Sequence, residues 1–576
     1  MSNHYAHSSI YHYLNAVAEQ QPEATALRLV TDLKNDFQDL SWSYQELLDN
    51  IRRVVRLLRD RSQAERPVCS FLLPNIPQAH AIMWGAETAG VANPLNPLLN
   101  EDALVQLMEA ADADVLMALG PNPVSDIWQK AEAVAKRLSK PVTLIPVFFP
   151  AESYELFEQL LGQYSADALE EDSLPGLDDM ASYFHTGGTT GTPKLAQNSQ
   201  RNQLACVALH HESMNLEAGD VVMSGLPLFH VAGSMINGLS CLCAGIEIIL
   251  PTIAGFRDPN VVLAHWQMVE KYQVTVSGGI PTSVASMVNV PVDADVSSLK
   301  YLISGGSPVP AALCHDVKSI LGLELYQIYG MTECAGAIAM PNIHKSTVPG
   351  SAGYVSDLID LRINGAEKAG DSGELLVRGD VVFAGYLGRD ENPLNDGWLH
   401  TGDLGHIDGE GYLFITGRAK DLIIRSGHNI DPALIENCLE QHPAVSLAAA
   451  VGRPDAYAGE LPVAYVQLYD GHSVTEQELM TYAVENIAER PACPKFIEIL
   501  EALPVTAVGK VHKPSLRAAA TERTVKELLG DSIEKLPAFD VNILDSGEMA
   551  LQFQQSLSSE LEVIVAKLAR ELNLKF

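Results

Sequence analysis

Hydrophobic and polar positions along this chain fall into two alternating periods. Over 9–20 and 43–60 the apolar residues recur at helical spacing, and in the second stretch Leu47, Leu48, Ile51, Val54, Val55, Leu57 and Leu58 make one broad stripe. Val68-Cys69-Ser70-Phe71-Leu72-Leu73 is a short, almost wholly apolar run and reads as a buried strand. A helix over 77–90, a strand near 91–94, a helix carrying Leu104, Leu107 and Met108, and a strand at Asp114-Val115-Leu116-Met117 repeat the theme. Helices alternating with apolar strands predict parallel sheets covered by helices. Residues 120–180 mix helix with a polar, acidic run around Glu170–Asp179 that reads as a solvated loop.

The second half continues the pattern. A helix is expected over 200–215, then a strand that ends by Pro227, with His230 where the next helix begins. Strand-like runs at 272–282, 301–308 and 323–333 each release a loop rich in Gly, Ser or Thr. In open α/β sheets, ligands bind outside the carboxyl ends of strands. The last 60 residues predict a helix over 521–535, strands at Phe539–Ile543 and Met549–Phe553 joined through Asp545-Ser546-Gly547, and a helix striped by Leu557, Leu561, Ile564, Val565, Leu568 and Leu572. This tail reads as an added layer, an oligomer contact or a carrier-protein dock.

Composition narrows the classes. A chain of 576 residues is too long for one core and predicts at least two domains. A net charge of −34 opposes broad nucleic-acid or anionic-membrane binding, so any phosphate must be held by local Lys, Arg and helix N-termini. The eight cysteines are scattered without paired CxxC units, which argues against a zinc site and for reduced thiols in a cytoplasmic protein. The sequence shows neither a secretory h-region nor an apolar run long enough for an integral membrane segment.

The chemistry concentrates in Tyr183-Phe184-His185-Thr186-Gly187-Gly188-Thr189-Thr190-Gly191-Thr192-Pro193-Lys194. Glycines let a backbone approach an anion and form a nest of N–H donors; threonine hydroxyls and a lysine add to the grip. A solvated Gly/Thr turn has the same composition. Pro193 before the lysine and Leu195 after it exclude a Walker A loop. Gly233, Ser234 and Gly238 leave room beside a segment made apolar by Val231, Met235, Ile236 and Leu239, which suits the wall of a pocket for an apolar group.

The Thr186–Lys194 stretch resembles the phosphate loop of the adenylate-forming superfamily. Tyr329-Gly330-Met331-Thr332-Glu333, Trp398-Leu399-His400-Thr401-Gly402-Asp403-Leu404-Gly405, Gly417-Arg418-Ala419-Lys420-Asp421 and the run from Pro504 to Lys513 look like its adenine-and-magnesium loop, ribose loop, hinge and catalytic-lysine loop. They stand in family order over roughly residues 20–516. The chain is identified as similar to the AMP-forming acyl-CoA synthetases.

The resemblance implies an α/β fold: a large N-terminal domain of helix-covered sheets (1–419), a small mobile α+β C-terminal domain (420–520) and an extra C-terminal extension (521–576). It implies ATP, Mg²⁺ and CoA as reactants, a carboxylate converted to acyl-AMP and pyrophosphate, and then a thioester. Thr186, Gly187, Gly188, Thr189, Thr190, Gly191 and Lys194 would hold the β- and γ-phosphates. Gly305, Gly306, Ser307, Tyr329, Gly330 and Met331 would surround adenine, with Asp403 and Arg418 at the ribose. Thr332 would contact the α-phosphate, Glu333 would ligate Mg²⁺ and Lys510 would be the adenylation lysine.

Lys420 would be the hinge about which the C-terminal domain turns between the half-reactions, bringing Ser426, Gly427 and His428 to the CoA channel. His230, Val231, Gly233, Ser234, Met235 and Gly330 would line the acyl pocket. A glycine at 330, where acetate-restricted relatives carry Trp, implies a medium or long fatty acid or another bulky apolar acid. Leu195 in place of the usual Gly, and no histidine in 197–202, depart from the family beside the acyl or thiol channel. Loading of a carrier-protein phosphopantetheine, a non-catalytic nucleotide- or fatty-acid-binding homologue, a luciferase-type oxygenase and a homodimer all stay open.

Overall fold

A computed structural model describes residues 7–34, 36–186, 194–343, 345, 347–389, 393–487, 489–506, 509–530, 533, 536–543, 549–572 and 574–576. Two mostly parallel sheets form the first two-thirds of the chain. One has seven strands in the order Leu325–Ile328, Tyr301–Gly305, Val276–Gly279, Val221–Met223, Glu247–Leu250, Thr25–Asp32 and Gln38–Ser43, with only the last antiparallel. The other has six, in the order Thr143–Val147, Val115–Leu119, Val68–Leu72, Val91–Pro94, Met180–Thr186 and Lys194–Ser199, again with only the last antiparallel.

The helix Pro77–Ala89 is buried at every position. Pro77 stands at its first turn, where the missing N–H costs nothing. The helix Tyr44–Arg61 opens with a capping box between Ser43 and Glu46 and buries the expected apolar stripe. Together these helices belong to one large apolar core that also takes in Val231, Met235 and Ile236.

Three regions differ from or extend the sequence reading. Between 359 and 418 the chain forms an antiparallel sheet of Ile359–Ile363, Gly373–Gly379, Trp398–Ile407 and Leu394–Asn395, with Leu413–Arg418 paired to Trp398–Ile407. The region around Asp403 is therefore strand rather than loop. The C-terminal region carries a second sheet, built on the long pair Val445–Asp455 and Gly459–Leu468, with its own core around Ile423, Leu439, Val466 and Leu479.

In the tail, Phe539–Ile543 and Met549–Phe553 pair antiparallel as expected, and the turn at 545–547 lies outside the described residues. The helix expected over 521–535 instead spans Lys513–Leu529, opened by Pro514, so residue 520 falls inside a continuous helix. Val525 and Leu529 on it pack against Val541, Leu551, Val565 and Leu568 of the extension. Among the described residues, no helix is long and apolar enough to cross a membrane.

Candidate active site

Strands Met180–Thr186 and Lys194–Ser199 form a hairpin in which Thr186 is the register partner of Lys194. The two ends of the glycine-rich stretch are therefore held side by side. Gly187, Gly188, Thr189, Thr190 and Gly191 lie outside the described residues. His185, just before them, is half-buried and stacks on Phe229, with ring centroids 5.9 Å apart. Burial lowers its pKa to about 4, and its Nε2 accepts a hydrogen bond from the Asn96 N–H, so the ring is neutral.

Strand Tyr301–Gly305 runs into Gly306, whose φ of +85° suits glycine. Strand Leu325–Ile328 releases Tyr329, and the chain turns through a short 3-10 segment, Thr332–Cys334. The Asn198 amide donates to the Thr332 carbonyl at 3.4 Å, tying this turn to the Met180–Ser199 hairpin. Glu333 is 8% exposed. Its Oε1 accepts a 2.6 Å hydrogen bond from the Tyr386 hydroxyl, and the Phe383 N–H donates to its carbonyl.

Asp403 and Arg418 are register partners on adjacent antiparallel strands. The Arg418 Nε lies 2.9 Å from Asp403 Oδ1, and the Tyr329 hydroxyl donates to Oδ2 at 2.7 Å. The Asp403 carboxylate is thus fixed at both oxygens, and each oxygen keeps a lone pair for a further donor such as a sugar hydroxyl. The Tyr329 hydroxyl is pushed far up in pKa by burial and by the Asp403 charge, so it stays a donor.

Lys510 reaches this cluster from the C-terminal region. Its loop is a tight turn: the Thr506 N–H donates to the Lys510 carbonyl at 2.7 Å and the Lys510 N–H to Thr506 Oγ1 at 3.2 Å. Gly509 has φ +79° and sits so close to Ile280 that a Cβ would lie 2.2 Å from Ile280 Cδ1. The Lys510 side chain lies across Gly306, where a Cβ would meet Lys510 Cε at 3.1 Å. Burial and then the Arg418 charge lower the Lys510 pKa, while Asp403 and Glu333 pull it back up. Lys510, Gly306, Glu333, Asp403 and Arg418 therefore form one electrostatic cluster.

The apolar wall is the π-helical segment Ala232–Leu239, entered through His230 and Val231. The His230 Nδ1 accepts from the Ala232 N–H, and Ser234 Oγ donates to the His230 carbonyl. Burial, then the nearby Lys510 and His185, lower the His230 pKa to about 3, so this ring is also neutral. Gly233 is needed for backbone contact, since a Cβ there would lie 2.2 Å from the Pro227 carbonyl oxygen. Gly336, with φ +108°, packs against Val231 and Met235.

The structure changes the reading of Gly330. A Cβ at that position would lie 2.0 Å from the Gly336 carbonyl oxygen, so its missing side chain is filled by backbone rather than by open space. Its effect on the apolar wall is indirect: it lets the 330–336 turn fold back tightly, which brings Gly336 against Val231 and Met235.

Two other expected groups lie in turns of the 419–430 stretch. Ser426 and Gly427 make the left-handed turn between Ile423–Arg425 and His428–Ile430. Ser426 N–H donates to the Ala458 carbonyl, Arg425 to the Pro491 carbonyl, and His428 pairs with Glu489. Lys420 lies in the turn Ala419–Asp421, and its carbonyl accepts from Arg517 at 3.3 Å.

A magnesium ion fits what is present at Glu333. The group is a buried hard-oxygen donor already oriented by a hydroxyl, and no cluster of three or more His, Cys, Asp or Glu is placed to hold a metal among the described residues. Mg²⁺ is commonly bound by one or two carboxylates together with phosphate oxygens and water.

Sequence reasoning missed Tyr386, Ile280 and Arg517. Tyr386 follows Gly385 in an irregular stretch, and only its pairing with the Lys194–Ser199 strand brings it to the site.

Comparisons with known proteins agree on one family. The AMP-binding enzyme family matches residues 14–387, and the AMP-binding enzyme C-terminal domain matches 434–510. The chain is 33% identical to a marinolic acid–CoA ligase of Pseudoalteromonas sp. (strain SANK 73390), over 96% of this chain and 88% of the relative. It is also 33% identical to an indoleacetate–CoA ligase of Aromatoleum aromaticum, over 89% of this chain and 99% of the relative. Among solved structures, an anthranilate–CoA ligase in complex with anthranoyl-AMP superposes with a TM-score of 0.80 at 21% identity, covering 90% of this chain and 98% of the other.

Proposed function

This chain belongs to the AMP-binding enzyme family and is an AMP-forming acyl- or aryl-CoA ligase using ATP, Mg²⁺ and CoA; from that premise we propose that it activates a bulky, largely apolar carboxylic acid. The observation that carries the proposal is the apolar packing of Val231, Met235 and Ile236 beside the Gly336 turn, next to the neutral His230. A wall of that kind favours an apolar body over a second charge. Indoleacetic acid, named for one of the two relatives, fits the same description.

On this reading, residues 1–419 bind ATP and acid, 420–520 deliver Lys510, and 521–576 form an added layer. ATP lies with adenine between Gly305-Gly306-Ser307 and Tyr329, its ribose hydroxyls on Asp403 beside Arg418, and its phosphates on Thr186, Lys194 and the stretch between them. The acid carboxylate attacks the α-phosphorus, the bond to pyrophosphate breaks, and acyl-AMP forms. Lys510 and Thr332 donate to oxygens whose charge grows in that transition state, which is where a placed donor is worth most. Mg²⁺ on Glu333 would offset charge on the departing pyrophosphate.

The CoA thiolate then attacks the acyl carbon and AMP leaves. For that step the C-terminal domain turns about Lys420, withdrawing Lys510 and presenting Ser426, Gly427 and His428. The placement of the Lys510 side chain across Gly306, within reach of Arg418, Asp403 and Glu333, supports assignment of the described state to the first half-reaction.

The test is a panel running from acetate through hexanoate to a long-chain fatty acid, indoleacetate and ferulate, followed by pyrophosphate release and acyl-CoA formation. A bulky apolar acid should exceed acetate in kcat/KM by about 100-fold or more, since each buried methylene is worth about 1–3 kcal/mol. Equal use of acetate, or preference for a dicarboxylate, would overturn the substrate class. Pyrophosphate release that ignores CoA would replace CoA with a carrier-bound thiol.

A further inference from the structure

Segment 380–387 is assigned no role by the motifs, yet it is laced into the site at both ends. Asn202 Nδ2 donates to the carbonyls of Asp380 and Val382 at 2.8 and 2.9 Å. The Gln197 N–H donates to the Gly385 carbonyl, the Ala384 N–H to the Gln197 carbonyl, and the Leu387 N–H to the Leu195 carbonyl. Residue 386 is bridged to Ala196, two residues beyond Lys194. The segment thus acts as an extra strand on the phosphate hairpin. Phe383 is buried, and its ring packs edge-on to Tyr386 at 5.0 Å, which fixes the direction of the tyrosine.

Tyr386 makes two contacts through different parts of its side chain. Its hydroxyl donates to Glu333 Oε1 at 2.6 Å, the short distance of a bond to an ionised carboxylate. Its ring face meets the Lys194 ammonium at 5.1 Å, within cation–π range. We propose that Tyr386 is a positioning residue that sets the Mg²⁺-binding carboxylate of Glu333 and the phosphate-binding ammonium of Lys194 relative to each other.

A glutamate and a lysine side chain each lose substantial entropy when held in one geometry. One rigid ring, anchored by backbone pairing and by Phe383, holds both before the nucleotide arrives. With Oε1 held, the carboxylate is oriented in advance, and the nucleotide–metal complex meets a formed site.

This proposal rests on the CoA-ligase reading of the site, and its test separates the two. Binding of ATP is measured by calorimetry with and without Mg²⁺ in the wild type, Tyr386→Phe and Tyr386→Leu. Thioester formation from a synthetic acyl-adenylate and CoA is measured in parallel, with thermal stability of the ligand-free proteins.

Tyr386→Phe keeps the ring and loses the hydroxyl. It should weaken ATP binding about tenfold when Mg²⁺ is present, the size of one charge-assisted hydrogen bond, and leave binding without Mg²⁺ unchanged. Tyr386→Leu should weaken binding under both conditions. Thioester formation should not change in the phenylalanine variant. Equal loss in both binding arms, a matching fall in thioester formation, or no change at all in Tyr386→Phe would overturn the proposal. If wild-type ATP binding ignores Mg²⁺, the role given to Glu333 falls first and this proposal with it.

Discussion

Lys510 is the residue on which the site's charge balance turns. Burial and Arg418 lower its pKa, so in the ligand-free enzyme it gives up its proton at lower pH than an ordinary lysine. The ammonium is the form that can donate to the α-phosphate. As pH rises through the lowered value that form is lost, and adenylation should fall. An alkaline limb is therefore expected in kcat/KM for ATP, which reports the free enzyme, and a limb at higher pH in kcat, because bound phosphates favour the charged lysine. A pH–rate series under saturating acid checks this, and coincident limbs would count against it. Glu333, Asp403, Arg418 and Lys510 were legible in the sequence because each sits in a local string of distinctive residues. Tyr386 was not, because its bridge to Ala196 and the hydroxyl bond it makes to Glu333 are both tertiary facts.

At the scale of elements, the helix Pro77–Ala89 shows what burial on every side demands. It carries Glu87, fully buried, whose carboxyl is pushed up to about 8 by desolvation. Gln203 donates to its Oε1 at 2.8 Å and also to Ser182 Oγ on the strand that leads into the phosphate stretch. The folded state therefore holds a proton at Glu87 between about 4.5 and 8 that the unfolded chain has released. Stability contributed by this group is complete below that range, declines as pH rises through it and is level above. Glu87→Gln, which imitates the protonated form, should flatten the pH dependence of Tm and match or exceed the wild type at pH 8, as thermal melts between pH 5 and pH 9 would show. Equal destabilisation of the variant at both ends would contradict this. The parallel sheets, this helix and the hairpin of the extension were all legible from periodicity. The antiparallel sheet of 359–418 was not, because its longest strand, Trp398–Ile407, places Thr401, Asp403 and Gly405 rather than apolar residues at most of its buried positions. The start of the Lys513–Leu529 helix was missed because Lys513-Pro514 reads as loop until Pro514 is seen in the first turn.

At the scale of the whole molecule, Lys510 and the Ser426-Gly427 turn, proposed to serve adenylation and the thiol step, belong to the same C-terminal region. Lys510 lies three residues before the Lys513–Leu529 helix, and Val525 and Leu529 of that helix are covered by the extension. Ending the chain at Gly530 would uncover both, at a cost of roughly 1.5–3 kcal/mol for each side chain. A lower melting temperature for that truncation is the expected result, and an unchanged melt would show that the extension adds nothing to the body carrying Lys510. On the proposed reading, the Lys510 cluster performs adenylation and has no part in thioester formation. The most direct measurement separates the half-reactions in Lys510→Ala: acid-dependent ATP–pyrophosphate exchange on one side, and CoA thioester formation from a synthetic acyl-adenylate on the other. Exchange should fall by about 10²–10³-fold, the cost of losing one placed donor in a dry site, while thioester formation keeps its wild-type rate. Exchange that survives the substitution, or a loss shared equally by both half-reactions, would contradict the account.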